Sequence, residues 1–119
     1  MTRRKVDIFI GPIACSCAGG PSPAKQEKIT RAFALEGALK EMGDRFEVRM
    51  WRLGDEREYE EGLAALRGYL RDAGEEELAD RLAFAVNDAT PSVALDGKLM
   101  WVRDCPTAEE LLLDADGSE

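Results

Sequence analysis

Three cysteines carry the reactive potential of this chain: Cys15, Cys17 and Cys105. The first two flank Ser16 in the stretch ACSCAGGPSP, where glycines and prolines crowd in behind them. Two thiols in a Gly/Pro segment are poorly placed for packing, so the pair reads as chemistry. One chemistry is thiol–disulfide exchange. Residues two apart close a disulfide only with strain, and a strained disulfide is readily reduced. It suits exchange better than stapling, with the exposed member, Cys15 favoured, attacking a substrate disulfide. The other chemistry is soft-ion binding. Cys15, Cys17 and Cys105 together would hold a metalloid, Cu(I), or zinc with an outside fourth ligand, and Asp104 stands beside Cys105 as an oxygen donor. Taken alone, Cys105 reads equally well as a small buried hydrophobe. The chain has no histidine, which removes the usual general base, the commonest metal ligand and any Cys–His pair.

The elements that must position these thiols follow from periodicity. KVDIFI, residues 5–10, is a short β-branched run that predicts a buried strand, closed by Gly11-Pro12. The cysteine segment follows. Ser22-Pro23 then signals a helix start, and Ile29, Ala32, Leu35, Leu39 and Met42 recur at helical spacing up to Gly43-Asp44. FEVRMWRL, residues 46–53, alternates. Phe46, Val48, Met50 and Leu53 are taken as its apolar set, with Trp51 out of step, and its polar face predicts an edge strand. Gly54-Asp55 opens a second helix, with Tyr59, Leu63, Leu66 and Leu70 on one face and Gly74 as its break. A third, at 75–86, carries Leu78, Leu82 and Val86. Asp96-Gly97 between SVAL and KLMWV predicts a β-hairpin, introduced by Thr90-Pro91. A last helix from Thr107 to about Leu113 starts with a Thr107/Glu110 capping box. Residues 114–119 are expected to form a loose tail of this single domain, 1–119.

Cysteines between a first strand and a helix, with Thr-Pro opening a hairpin strand, resemble the thioredoxin-like superfamily. The resemblance implies an α/β, three-layer sandwich: a mixed four-stranded sheet with a C-terminal β-hairpin. It implies a cis Pro91 beside Cys15 or Cys17, positioning substrate backbone, and a Cys105 loop that approaches them. In that light Asp7 compares with the buried acid that assists thiol chemistry in thioredoxins. Its longer spacing to Cys15 points instead to a solvated place at the sheet end. The run Gly11-Pro12-Ile13-Ala14-Cys15 is similar to that of ArsD-type arsenic metallochaperones. Cys15 matches their first cysteine, Ser16 stands in place of the second and Pro21 in place of the third, which leaves Cys17 as a substitute ligand.

Bulk properties narrow the functions. The chain has 119 residues and 45% hydrophobic content, enough for one folded core. Net charge is −8, from 24 acidic and 16 basic residues, which argues against nucleic-acid and anionic-membrane partners. Neither a membrane-length apolar run nor a secretory leader is visible, and the odd cysteine count fits a reducing, cytoplasmic setting. Trp51 and Trp101 are expected in packing rather than as a binding platform. Three readings stand. The first is a thiol–disulfide oxidoreductase, acting on a protein or small-molecule thiol or disulfide through Cys15, Cys17 and Pro91. The second is a carrier of a soft metal or metalloid held by Cys15, Cys17 and Cys105. The third is an interaction domain whose cysteines do nothing catalytic. No cofactor is required beyond that ion.

Overall fold

β-Branched and aromatic residues build the centre of the sheet. The computed structural model describes residues 4–11, 23–42, 45–53, 56–82, 89–102 and 104–117. Strand β1 (Arg4–Ile10) is followed by α1 (Pro23–Glu41), β2 (Phe46–Arg52), α2 (Glu56–Asp72), the short α3 (Glu76–Asp80), the hairpin β3 (Ser92–Leu95) and β4 (Lys98–Trp101), and α4 (Ala108–Gly117). The sheet order is β2-β1-β3-β4. β1 runs parallel to β2 and antiparallel to β3, and β3 runs antiparallel to β4. The helix between β1 and β2 makes their parallel crossover possible.

Period-two alternation sends β1 to two cores at once. Val6, Ile8 and Ile10 enter one cluster with Ala32, Leu35 and Leu39 of α1 and Leu111 of α4. Phe9, on the opposite face, joins Leu63, Leu66 and Leu70 of α2, Leu78 of α3, and Ala94 and Leu99 of the hairpin. Helices therefore cover both faces, and the fold is a thioredoxin-like three-layer sandwich. The helical stripes read from the sequence supply these contacts.

The apolar pattern of β2 needs one correction. Phe46 and Met50 face the first cluster, but Leu53 belongs to the second, together with Trp51. Trp51 is in step with the odd-numbered face, and Leu53 is the residue wrongly grouped. Toward its C-terminal end this strand buries residues on both sides, Met50 on one and Trp51 on the other, so both parities carry apolar residues.

Helix α2 ends in a Schellman arrangement: Gly74 N–H donates to Arg71 O at 3.1 Å and Glu75 N–H to Leu70 O at 2.8 Å. The third helix is shorter than its leucine spacing suggests. It stops at Asp80, where Arg81 takes φ −99° and ψ 6°. Residues 83–88 lie outside the described residues. The hairpin turn has positive φ at both central positions, Asp96 (52°) and Gly97 (84°), as a type I′ turn demands. Asp96 also ties the turn to β1: its Oδ1 accepts from Lys5 N–H at 3.0 Å, its N–H donates to Lys5 O at 2.7 Å, and its carboxylate pairs with Arg4. In β4 the register passes from Leu99 to Trp101 while β3 advances one residue, so Met100 is a bulge. The capping box forms, with Glu110 N–H donating to Thr107 Oγ1 at 3.2 Å and Thr107 N–H to Glu110 Oε1 at 3.3 Å. α4 then continues to Gly117, beyond the Leu113 end expected.

Candidate functional site

The C-terminal end of β1, Pro91 and the exit of β4 lie at one end of the sheet. β1 delivers the chain to Gly11 at its C-terminal end, and α1 takes it up again at Pro23. Cys15 and Cys17 lie between, outside the described residues. Ser92 pairs with Phe9, so Pro91 sits beside the last residues of β1. Trp101 pairs with Val93, so β4 also leaves the sheet at that end, toward Cys105. The Thr90–Pro91 bond is cis, as the resemblance implied. Pro91 and Thr90 are buried, and Ser92 Oγ donates to Ala89 O beneath them.

Cys105 itself turns inward. It is a free thiol, 1% exposed, packed in the cluster between the sheet, α1 and α4. Its Sγ lies 3.5 Å from Pro106 O. Asp104 is exposed, and its Oδ1 accepts from Cys105 N–H at 2.9 Å. Arg31 of α1 donates from Nη1 to Cys105 O at 3.1 Å, fixing the loop to the helix. Burial pushes the Cys105 thiol up to about 12. The Arg31 charge works against that rise, and Asp104 and Glu110 add to it. The thiol is therefore neutral through physiological pH, a weak nucleophile and a poor ligand as it stands. Among the described residues, no three His, Cys, Asp or Glu side chains converge on a point where an ion could be held.

The second polar centre was misread from the sequence. Asp7 is not solvated at the sheet end. It is 2% exposed, on the central strand, facing α2. Its Oδ1 accepts from Trp51 Nε1 at 3.1 Å and its Oδ2 from Tyr69 Oη at 2.7 Å. Lys5 Nζ stands 4.0 Å from Oδ2. An acid on a central strand must find donors inside the fold, and here one neighbouring strand and one helix supply them. Burial, and then the bond and charge of Asp7, raise the Tyr69 phenol well above its ordinary range. Phe9 stacks on Trp51 with ring centres 5.9 Å apart and planes 8° from parallel, and meets Tyr69 edge-on at 5.8 Å. Trp51 is packing, as expected, but its indole N–H also holds the acid. The available signal was Asp7 itself, a charge inside an apolar strand run. Its partners, far away in sequence, could not be read.

Next to this acid opens a cleft of about 380 Å³, lined by Lys5, Asp7, Glu47, Val48, Arg49 and Trp51. Opposite charges face each other across its two strands, Lys5 beside Glu47 and Asp7 beside Arg49.

The class defined by this architecture is the thioredoxin-like sandwich with a cysteine segment between β1 and α1. Among solved structures, the arsenical resistance operon trans-acting repressor from Bacteroides vulgatus ATCC 8482 is similar to it. The TM-score is 0.54 at 19% identity, over 93% of this chain and 91% of that one. The likeness is one of fold. No family model matches the chain, and no curated protein matches it. Among the described residues no helix is long and apolar enough to cross a membrane.

Proposed function

We propose that this protein binds a soft, thiol-seeking metalloid such as arsenite, with Cys15 and Cys17 as its protein ligands. The observation that carries the reading is the C-x-C segment after β1 of a fold shared along nearly its whole length with a repressor named for arsenical resistance. The cysteine segment also resembles that of arsenic metallochaperones. Two thiols displace two hydroxyls of As(OH)3: two S–As bonds form, two As–O bonds break and two waters leave, with no change in oxidation state. The third position on arsenic is left to a small external thiol or the remaining hydroxyl. Cys105 is assigned no part while its thiol stays buried and protonated.

The experiment is arsenite binding by equilibrium dialysis under reducing conditions. Wild type is expected to retain one arsenic per chain. Cys15→Ser and Cys17→Ser should each abolish retention, and Cys105→Ala should preserve it. Retention by the Cys15→Ser/Cys17→Ser double variant, or none by wild type, refutes the proposal. Thiol–disulfide exchange by the same pair is the second reading. It is favoured by the buried Asp7 on the strand that leads into the cysteine segment. Catalytic turnover of a disulfide substrate that Cys15→Ser abolishes, without arsenite retention, would establish exchange instead.

A further inference from the structure

The outer strand β2 carries a pattern that sulfur chemistry does not use. The chain is strongly acidic, yet residues 45–52 hold three arginines and one glutamate. Each arginine lies over an aromatic ring. The Arg45 guanidinium is 6.0 Å from the centre of Phe46, Arg49 is 3.6 Å from Trp51, and Arg52 is 5.9 Å from Phe33 of α1. All three arginines are exposed. Stacking restricts the planar guanidinium while leaving its N–H groups free to meet carboxylates. Arg49 also approaches Glu61 at 3.8 Å, a pair exposed on both sides and therefore weak.

These groups flank a hydrogen-bonding edge. β2 pairs with β1 on one side, and among the described residues no strand pairs with the other. An edge strand presents backbone N–H and C=O groups to any chain that can lie along it. Seven residues, Phe46–Arg52, are available, and the cleft over Asp7 opens beside them between β1 and β2.

We propose that β2 is a docking edge for an extended, acidic segment of a partner protein, added as a fifth strand. Main-chain bonds along β2 would hold the segment. Carboxylates on its two faces would meet Arg49 on the α2 side and Arg52 on the α1 side. The charge pattern selects the occupant. A second copy pairing through the same edge would set this arginine row against its own like, which is unfavourable, whereas an acidic strand complements it. The proposal stands independently of the metalloid reading.

The test is fluorescence anisotropy with a labelled octapeptide of two Glu-Glu-Val-Val repeats, which puts glutamates on both faces of a strand. The same peptide with lysine for glutamate, and one N-methylated at alternate amides, are the controls. The acidic peptide is expected to bind at least tenfold more tightly than either control. The Arg49→Gln/Arg52→Gln variant should weaken it at least tenfold, with an unchanged melting temperature. Arg49→Lys keeps the charge but loses the planar stack, and should weaken binding less. If the double variant unfolds, that milder change carries the test. No binding by wild type, equal binding of the N-methylated peptide, or affinity indifferent to Arg49 and Arg52 each overturns the proposal. So does a dimer in sedimentation that Arg49→Glu strengthens, since the edge would then belong to a second copy.

Discussion

Replacing Cys105 with alanine should reverse the order of stability between neutral and alkaline solution. At pH 7 the folded and unfolded chains both hold the Cys105 proton, and the variant simply loses a buried sulfur. That leaves a small cavity and costs about 1–2 kcal/mol. Above the ordinary thiol value of 9.0 the unfolded chain ionises, while the folded chain keeps its proton up to about 12. Unfolding then releases a proton, so wild-type stability falls as pH rises through this window. Each pH unit is worth about 1.4 kcal/mol, and at pH 11 the loss reaches about 2.5 kcal/mol. That exceeds the cavity cost, and the alanine variant becomes the more stable chain. Urea unfolding of both proteins from pH 7 to 11, in reductant, measures the difference. Cys15 and Cys17 are present in both chains and cancel. Parallel stability curves, with wild type ahead by a constant amount, would sink the reasoning, because they would mean that Cys105 ionises as easily folded as unfolded.

Three further outcomes are expected. Tyr69→Phe removes one of the two side-chain donors to the buried Asp7 carboxylate and should destabilise the fold by about 1.5–3 kcal/mol, read as a lower urea midpoint with unchanged slope. In the wild type, alkaline titration followed by tyrosinate absorbance should show Tyr69 ionising only with unfolding, since the folded phenol is held well above its ordinary range. Thr107→Ala breaks the box that caps α4 and should cost about 1 kcal/mol by the same urea assay, with Thr107→Ser recovering most of it.

Local order was legible because it is written in local terms. The stripes Ala32-Leu35-Leu39 and Leu63-Leu66-Leu70, the Asp96-Gly97 turn and the Thr107/Glu110 box each depend on residues a few positions apart. Their order along the chain, with a helix joining two strands and a tight turn joining two more, determined a mixed sheet covered on both faces. The parity of Leu53 was misjudged because the end of β2 buries residues on both sides, so apolar residues fall in both registers and alternation stops marking a single face.

Only the tertiary structure decided the state of each buried polar group. Asp7 and Trp51 are 44 residues apart, and Asp7 and Tyr69 are 62 apart. Whether that acid meets water or two donors depends on how β2 and α2 lie against β1. Likewise the type and position of Cys105 permitted a ligand or a core residue. Its rotation into the layer between the sheet, α1 and α4 made it a protonated thiol inside the core. The physical reason is common to both: solvation and proton affinity follow from which distant groups surround an atom, and no spacing along the chain encodes that directly.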